Sequence, residues 1–219
     1  MKYNTVIFDL DGTILDTLED LKISINFALT QCGMPERTID EVRAFVGNGI
    51  RLLTERSVTK NASPDEVEAV FSAFNKHYAL HCTDHTKPYE GISGMLLSLH
   101  SEGIKTAVVS NKADYAVKIL CEQYFGSLFD YAVGARDGVR KKPYPDAVNA
   151  VLENFGTDAE CAVFIGDSDV DVKTAQNAGV DCIAVDWGFR SRKVLTEAGA
   201  EIIVSSPAAL TDIILGRKP

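Results

Sequence analysis

Cysteine is sparse in this chain, and its cysteines are not grouped. The 219 residues contain five of them, none spaced as a C-x-x-C pair. Without such pairs the sequence offers neither a zinc site of known spacing nor a disulfide framework. The cysteines are therefore expected to act mainly as small core side chains in a reducing, cytoplasmic setting.

Positive charge and long apolar runs are also lacking. The chain has 22 Lys and Arg residues against 31 Asp and Glu residues, which gives a formal net charge of -9. Nucleic acids and anionic membranes bind basic surfaces, so neither is expected as a main partner. No apolar run reaches the length of a membrane span, and Met1-Lys2 leads straight into an apolar strand. We therefore expect neither a membrane segment nor a signal peptide.

Short apolar runs alternate with helical segments over most of the chain. This order is typical of an α/β fold with a doubly wound parallel sheet. The stretch from about residue 17 to residue 84 is the exception, because its apolar residues recur only at helical spacing. We therefore predict a Rossmann-like α/β core domain, residues 1–15 and 86–219, with an inserted helical domain at residues 16–85.

Polar residues follow four of the predicted strands. Because the carboxyl ends of parallel strands meet at one edge of a sheet, these residues can converge in a single crevice. The four sets are Asp9 with Asp11, Ser110 with Asn111, Lys141 with Lys142, and the segment Asp167–Asp171.

The residue types at these strand ends suit phosphoryl chemistry. Asp9, Asp11 and Asp167 offer hard oxygen ligands, which favour Mg²⁺ over softer metals. A lysine and a small hydroxyl supply the point charge and the hydrogen bond that a phosphoryl group needs. Chemistry alone does not choose between Lys141 and Lys142. An aspartate can itself act as the nucleophile by forming an aspartyl phosphate.

In chain order, these segments resemble the four motifs of the haloacid dehalogenase-like phosphohydrolase superfamily. The segments are Asp9-Leu-Asp11-Gly12-Thr13, Ser110-Asn111, Lys142-Pro143 and Gly166-Asp167-Ser-Asp-Val-Asp171. Members with a small helical cap carry it between the first and second motifs, where the inserted helical domain lies here. The resemblance covers essentially the whole chain. It selects Lys142, because the lysine of the superfamily directly precedes the proline.

The resemblance implies a role for each main residue. Asp9 would attack phosphorus, and Asp11 would protonate the leaving alcohol and later take a proton from water. Ser110 and Lys142 would hold the phosphoryl oxygens. Mg²⁺ would be bound by Asp9, the backbone carbonyl of Asp11, and Asp167.

Other motif residues are expected around the substrate and the metal. Asp171 would orient a metal-bound water or the lysine; the alternative is an exposed carboxylate in the first turn of a helix. Gly12 permits a sharp turn that brings its N–H within reach of an anion. We assign Gly12, Thr13 and Asn111 to substrate binding, with support of the phosphate-binding loop as the alternative for Asn111.

Asp11 argues against two other activities of the superfamily. Its dehalogenases and phosphonoacetaldehyde hydrolases lack an acid there, whereas a phosphate ester needs one because an alkoxide is a poor leaving group. Further segments resemble phosphoglycolate phosphatases: Asp16–Leu21, Val46–Leu53, Pro88–Gly91 and Trp187-Gly188. Within them we assign Gly49 and Arg51 to substrate binding, with Arg51 meeting a second anionic group such as a carboxylate. A plain helix–helix turn and a surface charge are the alternatives.

Several functions stay open at this point. β-Phosphoglucomutases resemble the chain closely but carry a histidine where Leu21 stands here. A pyrophosphatase, a nucleotide phosphatase and a non-catalytic binding protein are further alternatives. We expect a small phosphorylated metabolite as the partner and a monomer or weak homodimer as the assembly. His77, His81 and His85 share one helical face if their helix extends that far, and we interpret them as a solvated or partly packed face.

Overall fold

The chain divides into two compact units. The computed structural model describes residues 2–217. The described residues up to Leu15 and from Pro88 onward form one unit, and Asp16–Lys87 form the other. The second boundary thus lies two residues beyond the one expected from the sequence at residue 85.

Helices and strands account for most of the described chain. The strands are β1 (Thr5–Phe8), β2 (Leu15–Asp16), β3 (Lys87–Pro88), β4 (Lys105–Ala113), β5 (Tyr131–Ala135), β6 (Ala162–Gly166), β7 (Asp181–Val185) and β8 (Ile202–Val204). The helices are α1 (Leu18–Gln31), α2 (Ile39–Phe45), α3 (Ile50–Ser57), α4 (Pro64–His81), α5 (Ile92–Ser101), α6 (Asp114–Phe125), α7 (Asp146–Phe155), α8 (Asp169–Ala178), α9 (Arg192–Glu197) and α10 (Pro207–Leu215). Within residues 2–217, no helix combines the length and apolarity that a membrane crossing requires.

Six strands form one parallel sheet in the order β5-β4-β1-β6-β7-β8. This confirms the predicted α/β class with a doubly wound parallel sheet. Strand β1 is central, and its Val6, Ile7 and Phe8 are completely buried because neighbouring strands and helices cover both faces. The chain moves to one side of β1 for β4 and β5 and to the other side for β6 to β8. Open α/β sheets bind ligands at the carboxyl edge beside such a switch point.

The second unit contains only α1 to α4, apart from its residues in the short strands β2 and β3. Helix α1 packs against α4 through fully buried side chains such as Ile25, Leu29 and Phe74. Helix α4 begins with Pro64 after a capping box formed by Ser63 and Glu66, as the sequence pattern predicts.

Two element boundaries differ from the sequence expectation. Strand β4 continues through Ser110 and Asn111 instead of stopping there, with a register shift against β5 between Val109 and Ala113. Polar side chains did not end the strand, because backbone pairing is independent of side-chain polarity where those side chains face a crevice. The helical pattern predicts a start at Val172, whereas helix α8 begins three residues earlier, at Asp169, after the N-cap Ser168.

Candidate active site

The loop after β1 places two carboxylates at the carboxyl edge of the sheet. The backbone N–H of Asp9 still donates to the carbonyl of Ile165 in β6, at 2.9 Å. The chain then turns sharply, and the N–H groups of residues 13 to 15 all donate to the carbonyl oxygen of Leu10. Asp9 is buried, while Asp11 is partly exposed. The local turn therefore fixes both carboxylates at the end of the central strand.

Two glycines let the fourth motif approach this loop. Gly12 has a φ of +83°, and a Cβ atom on it would lie 2.4 Å from Oδ2 of Asp167. A Cβ atom on Gly188 would lie 2.3 Å from the carbonyl oxygen of Gly12 and 2.4 Å from the Cβ of Asp167. Real side chains do not tolerate such distances, so the missing side chains are what allow Asp167 to lie against the first motif.

The carboxylate of Asp167 is held from both sides. Thr13 Oγ1 donates to its Oδ1 at 2.9 Å, and the backbone N–H of Phe189 donates to its Oδ2 at 2.7 Å. The Trp187 indole in turn donates to the carbonyl of Thr13 at 3.0 Å. The hydroxyl of Thr13, expected to contact substrate, is thus used to orient Asp167. The Phe189 contact could not be read from sequence, because it depends on where the loop after β7 folds.

Lys142 lies between two buried carboxylates. Its Nζ is 2.7 Å from Asp171 Oδ1 and 2.8 Å from Asp9 Oδ1, although the second pair is not aligned as a hydrogen bond. Asp171 Oδ2 accepts from both the N–H and the hydroxyl of Ser168, at 3.0 and 2.6 Å. Asp171 is completely buried, so its alternative interpretation as an exposed carboxylate was wrong. The S-x-x-D spacing is a capping-box pattern that could have identified Ser168 from sequence.

Burial, and then the charges of neighbouring groups, shift the pKa values of this cluster. Burial raises the pKa of Asp9 to about 6, against the opposing effect of Lys142. Burial, with the charges of Asp171 and Asp9, raises the pKa of Asp167 to about 8. Burial alone would lower the pKa of Lys142, but Asp171 and Asp9 together raise it. The carboxylates therefore carry more negative charge than the one lysine among them offsets.

A divalent metal fits this excess of negative charge. Asp9, Asp167 and Asp171 each bring a carboxylate oxygen within 4.8 Å of the others. Both oxygens of Asp171 are engaged by Lys142 and Ser168, whereas Asp9 Oδ1 has no aligned hydrogen-bond donor. Hard carboxylate oxygens of this kind suit a divalent cation, which would relieve their repulsion. The buried cluster could therefore hold a divalent metal.

The second motif contributes three consecutive buried residues, Ser110, Asn111 and Lys112. The side-chain amide of Asn111 donates to the carbonyl of Lys142 at 3.1 Å, so it supports the lysine loop. Lys112 was missed in the sequence analysis. Its Nζ lies 2.9 Å from Oδ1 and 3.2 Å from Oδ2 of Asp11. A signal was available, because a lysine that continues a buried strand must find an anionic partner.

In the helical unit, the expected substrate residues lie at the start of α3. Gly49 is the N-cap of α3 with a φ of +89°, a value that favours glycine. Arg51 donates to Glu68 at 2.8 Å, and its guanidinium lies 4.0 Å from the ring centroid of Phe71. Arg56, which the sequence analysis did not single out, donates to Asn48 and so braces the loop before α3. The structure thus gives Arg51 partners within its own unit.

The histidines of this unit also have local partners. The ring of His77 stacks on Phe27 and His81, with centroid distances of 4.2 and 4.3 Å, and its Nδ1 lies 3.0 Å from the hydroxyl of Ser24. Helix α4 ends at His81, so His85 does not share that helical face. These contacts agree with a partly packed surface.

Known proteins resemble this chain over most of its length. The model of the haloacid dehalogenase-like hydrolase family matches residues 6–185. The phosphoglycolate phosphatase of Aquifex aeolicus is 35% identical over 185 residues, which cover 84% of this chain and 85% of that protein. Phosphoglycolate phosphatase 1 of Pseudomonas aeruginosa is 32% identical over 208 residues, covering 92% and 76%.

A solved structure from Lactobacillus delbrueckii subsp. bulgaricus, provisionally assigned as a phosphoglycolate phosphatase, superposes with a TM-score of 0.94. It is 36% identical, and the match covers 99% of this chain and 100% of that one. Since the family model and the relatives both span most of the sequence, this chain belongs to the haloacid dehalogenase-like hydrolase family.

Proposed function

We propose that this chain is a Mg²⁺-dependent phosphatase that hydrolyses a small phosphate monoester through an aspartyl-phosphate intermediate. The observation that carries the proposal is the buried cluster in which Lys142 lies between Asp9 and Asp171, beside Asp167. A lysine and a carboxylate set that could bind a metal, both beside the buried carboxylate of Asp9, favour attack of that carboxylate on an anionic phosphoryl group.

Asp9 is the proposed nucleophile. Its carboxylate is buried at the end of β1, with Oδ1 2.8 Å from Nζ of Lys142, the group proposed to bind the phosphoryl oxygens. The bond from Asp9 to phosphorus forms as the bond to the leaving oxygen breaks, and Asp11 gives its proton to that oxygen. Water then attacks the phosphoryl group and releases Asp9, while Asp11 takes the proton of the water. Asp11 follows Asp9 by two residues in a fixed turn, so one loop positions both groups.

The other residues of the cluster bind the metal and the phosphoryl group or position the residues that do. Asp9, Asp167 and the backbone carbonyl of Asp11 are the proposed Mg²⁺ ligands. When bound, Mg²⁺ supplies positive charge that reduces repulsion between the carboxylate nucleophile and the phosphoryl oxygens. Lys142 binds a phosphoryl oxygen, with Ser110 donating a hydrogen bond. Asp171, whose two oxygens are already engaged, holds the lysine in place.

2-Phosphoglycolate is the proposed substrate, a choice supported by the names of the relatives above. In this proposal the helical unit is a cap, and its Gly49 loop and Arg51 meet the substrate carboxylate. Arg51 would then exchange Glu68, an exposed partner, for that carboxylate. The buried Leu21 offers no proton-transfer group, which favours a hydrolase over a phosphoglucomutase.

The first test is hydrolysis of p-nitrophenyl phosphate with and without Mg²⁺, followed by 2-phosphoglycolate, a sugar phosphate, pyrophosphate and a nucleotide. We expect turnover that requires the metal and is fastest with 2-phosphoglycolate. No turnover of any of these by the folded, metal-loaded protein would reject the phosphatase proposal. Faster hydrolysis of another compound in the panel would reject only the proposal that 2-phosphoglycolate is the substrate.

Asp9→Asn tests the nucleophile directly. We expect a loss of activity of at least about 10³-fold, because the amide oxygen cannot form the acyl phosphate. Asp169→Asn is the matched control, since that carboxylate lies in the fourth motif but is substantially exposed. Borohydride reduction of acid-quenched wild-type protein should convert Asp9 to homoserine, detected by mass spectrometry. Conversion of a different aspartate would assign the role of nucleophile to that residue instead of Asp9.

A further inference from the structure

We propose that Lys112 is a positioning residue for Asp11, the acid and base of the reaction. This inference rests on the proposed function, because it assigns Lys112 a part in the proton transfers described above. The two groups form a close ion pair. The side chain of Lys112 is 2% exposed and that of Asp11 is 15% exposed.

The first argument is burial. An ammonium group is seldom buried without a strong reason, because its charge loses the solvation that water provides. Lys112 reaches both carboxylate oxygens of Asp11, at 2.9 and 3.2 Å, which restrains rotation of the carboxylate about its Cβ–Cγ bond. The ion pair is the form of Asp11 that takes a proton from water. When Asp11 is protonated, one oxygen still accepts from Lys112 and the other presents its proton to the leaving oxygen, so the restraint bears on both proton transfers.

The second argument is how firmly the backbone of Lys112 is fixed. Its N–H donates to the hydroxyl of Ser110 at 3.3 Å, within the part of β4 where the register shifts against β5. A Cβ atom on Gly134, in β5, would lie 2.4 Å from the carbonyl oxygen of Lys112. The lysine therefore stands on a backbone that packs closely against its neighbouring strand, and its side chain reaches Asp11 from a rigid base.

The third argument is a division of work between the two buried lysines. Lys142 contacts Asp9 and Asp171, and Lys112 contacts Asp11. Each of the two carboxylates proposed to react thus has its own cation. Because Lys142 serves the nucleophile, the loss of Lys112 should affect proton transfer more than phosphoryl binding.

The leaving group distinguishes this role from a structural one. An alkoxide departs only with a proton, whereas p-nitrophenolate departs without one. The ratio kcat/KM reports only on steps up to departure of the leaving group, so it contains the first proton transfer and excludes the second. For Lys112→Met we expect kcat/KM for 2-phosphoglycolate to fall about 10- to 100-fold, and for p-nitrophenyl phosphate less than about 3-fold. The fall should lie in kcat, with KM changed less than about 3-fold.

Three controls complete the experiment. Lys112→Arg should recover most of the 2-phosphoglycolate activity, because it keeps the cation. Lys141→Met removes an exposed charge next to Lys142 in the chain and should leave kcat/KM for both substrates unchanged. In an Asp11→Asn background, Lys112→Met should add no further selective loss, since its effect passes through Asp11.

Equal losses for both substrates in a folded Lys112→Met protein would overturn the proposal. If that variant does not fold, the two substrates are compared in Lys112→Arg, where an equal loss would overturn it as well. A wild-type protein that hydrolyses neither substrate would contradict the proposed function itself. A wild-type protein that hydrolyses only the aryl phosphate supports the phosphatase activity, and a second alkyl phosphate then serves as the comparison.

Discussion

Two buried aspartates, one in each unit, show how different the surroundings of the same side chain can be. Asp20 in the helical unit and Asp9 in the α/β unit are both buried. The carboxylate of Asp20 accepts from the backbone N–H groups of His85 and Thr86 and from the Thr86 hydroxyl, at 2.8 to 3.1 Å. Asp9 is attracted by the charge of Lys142 and repelled by the carboxylates of Asp171 and Asp11. A buried carboxylate whose oxygens all accept hydrogen bonds, such as that of Asp20, indicates a structural role. A buried carboxylate kept close to other carboxylates, such as that of Asp9, indicates a functional one.

The largest effect expected from this difference is the pH dependence of Mg²⁺ binding in the α/β unit. The pKa values of Asp9 and Asp167 are raised to about 6 and about 8, so both carboxyls are protonated at pH 5 in the metal-free protein. Mg²⁺ must displace those protons, and its affinity should rise more than about 100-fold from pH 5 to pH 8. Calorimetric titration at both pH values measures this. Equal affinities would contradict the proposed ligands.

The same shifts set the sign of the pH dependence of stability. Because both pKa values are raised, the folded, metal-free protein binds more protons than the unfolded chain between about pH 4 and pH 8. The contribution of these groups to stability is therefore complete at low pH and is lost as the pH rises through this window. Saturating Mg²⁺ should abolish this loss of stability at high pH.

The next largest effect is expected at Asp20. Asp20→Ala would leave three donors without their acceptor, two of them on the buried Thr86, and we expect a loss of about 3 kcal/mol from the stability of the helical unit. Amide hydrogen exchange measures this locally, as faster exchange at His85 and Thr86. Asp40→Ala is the control, since that side chain is 82% exposed and pairs with Arg43 on the surface. Unchanged exchange at residues 85 and 86 in Asp20→Ala would show that the carboxylate does not stabilise this segment.

The smallest effect, and the one that contrasts most with Asp20, concerns the stability of Asp9→Asn. Without metal at pH 8, the ionised Asp9 opposes folding because its pKa is raised. Removing its charge should leave stability unchanged or raise it by about 1–3 kcal/mol, although activity is lost. Urea denaturation in EDTA, followed by the fluorescence of Trp187, tests this in the unit that holds both residues. A loss as large as that of Asp20→Ala would show that Asp9 is structural.

Particular residues show which features of the fold and the site can be predicted from sequence. The strand preceding Asp9, the alternation of strands and helices, and the Ser63 capping box all depend on short-range patterns, and each was predicted. Lys112, Phe189 and Gly188 meet Asp11 or Asp167 across more than 20 residues of chain. No local spacing carries that information, because the contacts depend on how neighbouring strands and loops pack.

The sequence by itself determined the order of the four motifs, the α/β class and the choice of acidic and basic groups for phosphoryl chemistry. Those properties follow from residue types and from periodicity along a single segment. Only the tertiary structure decided which lysine accompanies which aspartate, that Asp171 is buried, and that Thr13 orients Asp167. The physical reason is that charge interactions act through space, so the partners of a buried group are known only when separate strands are brought together.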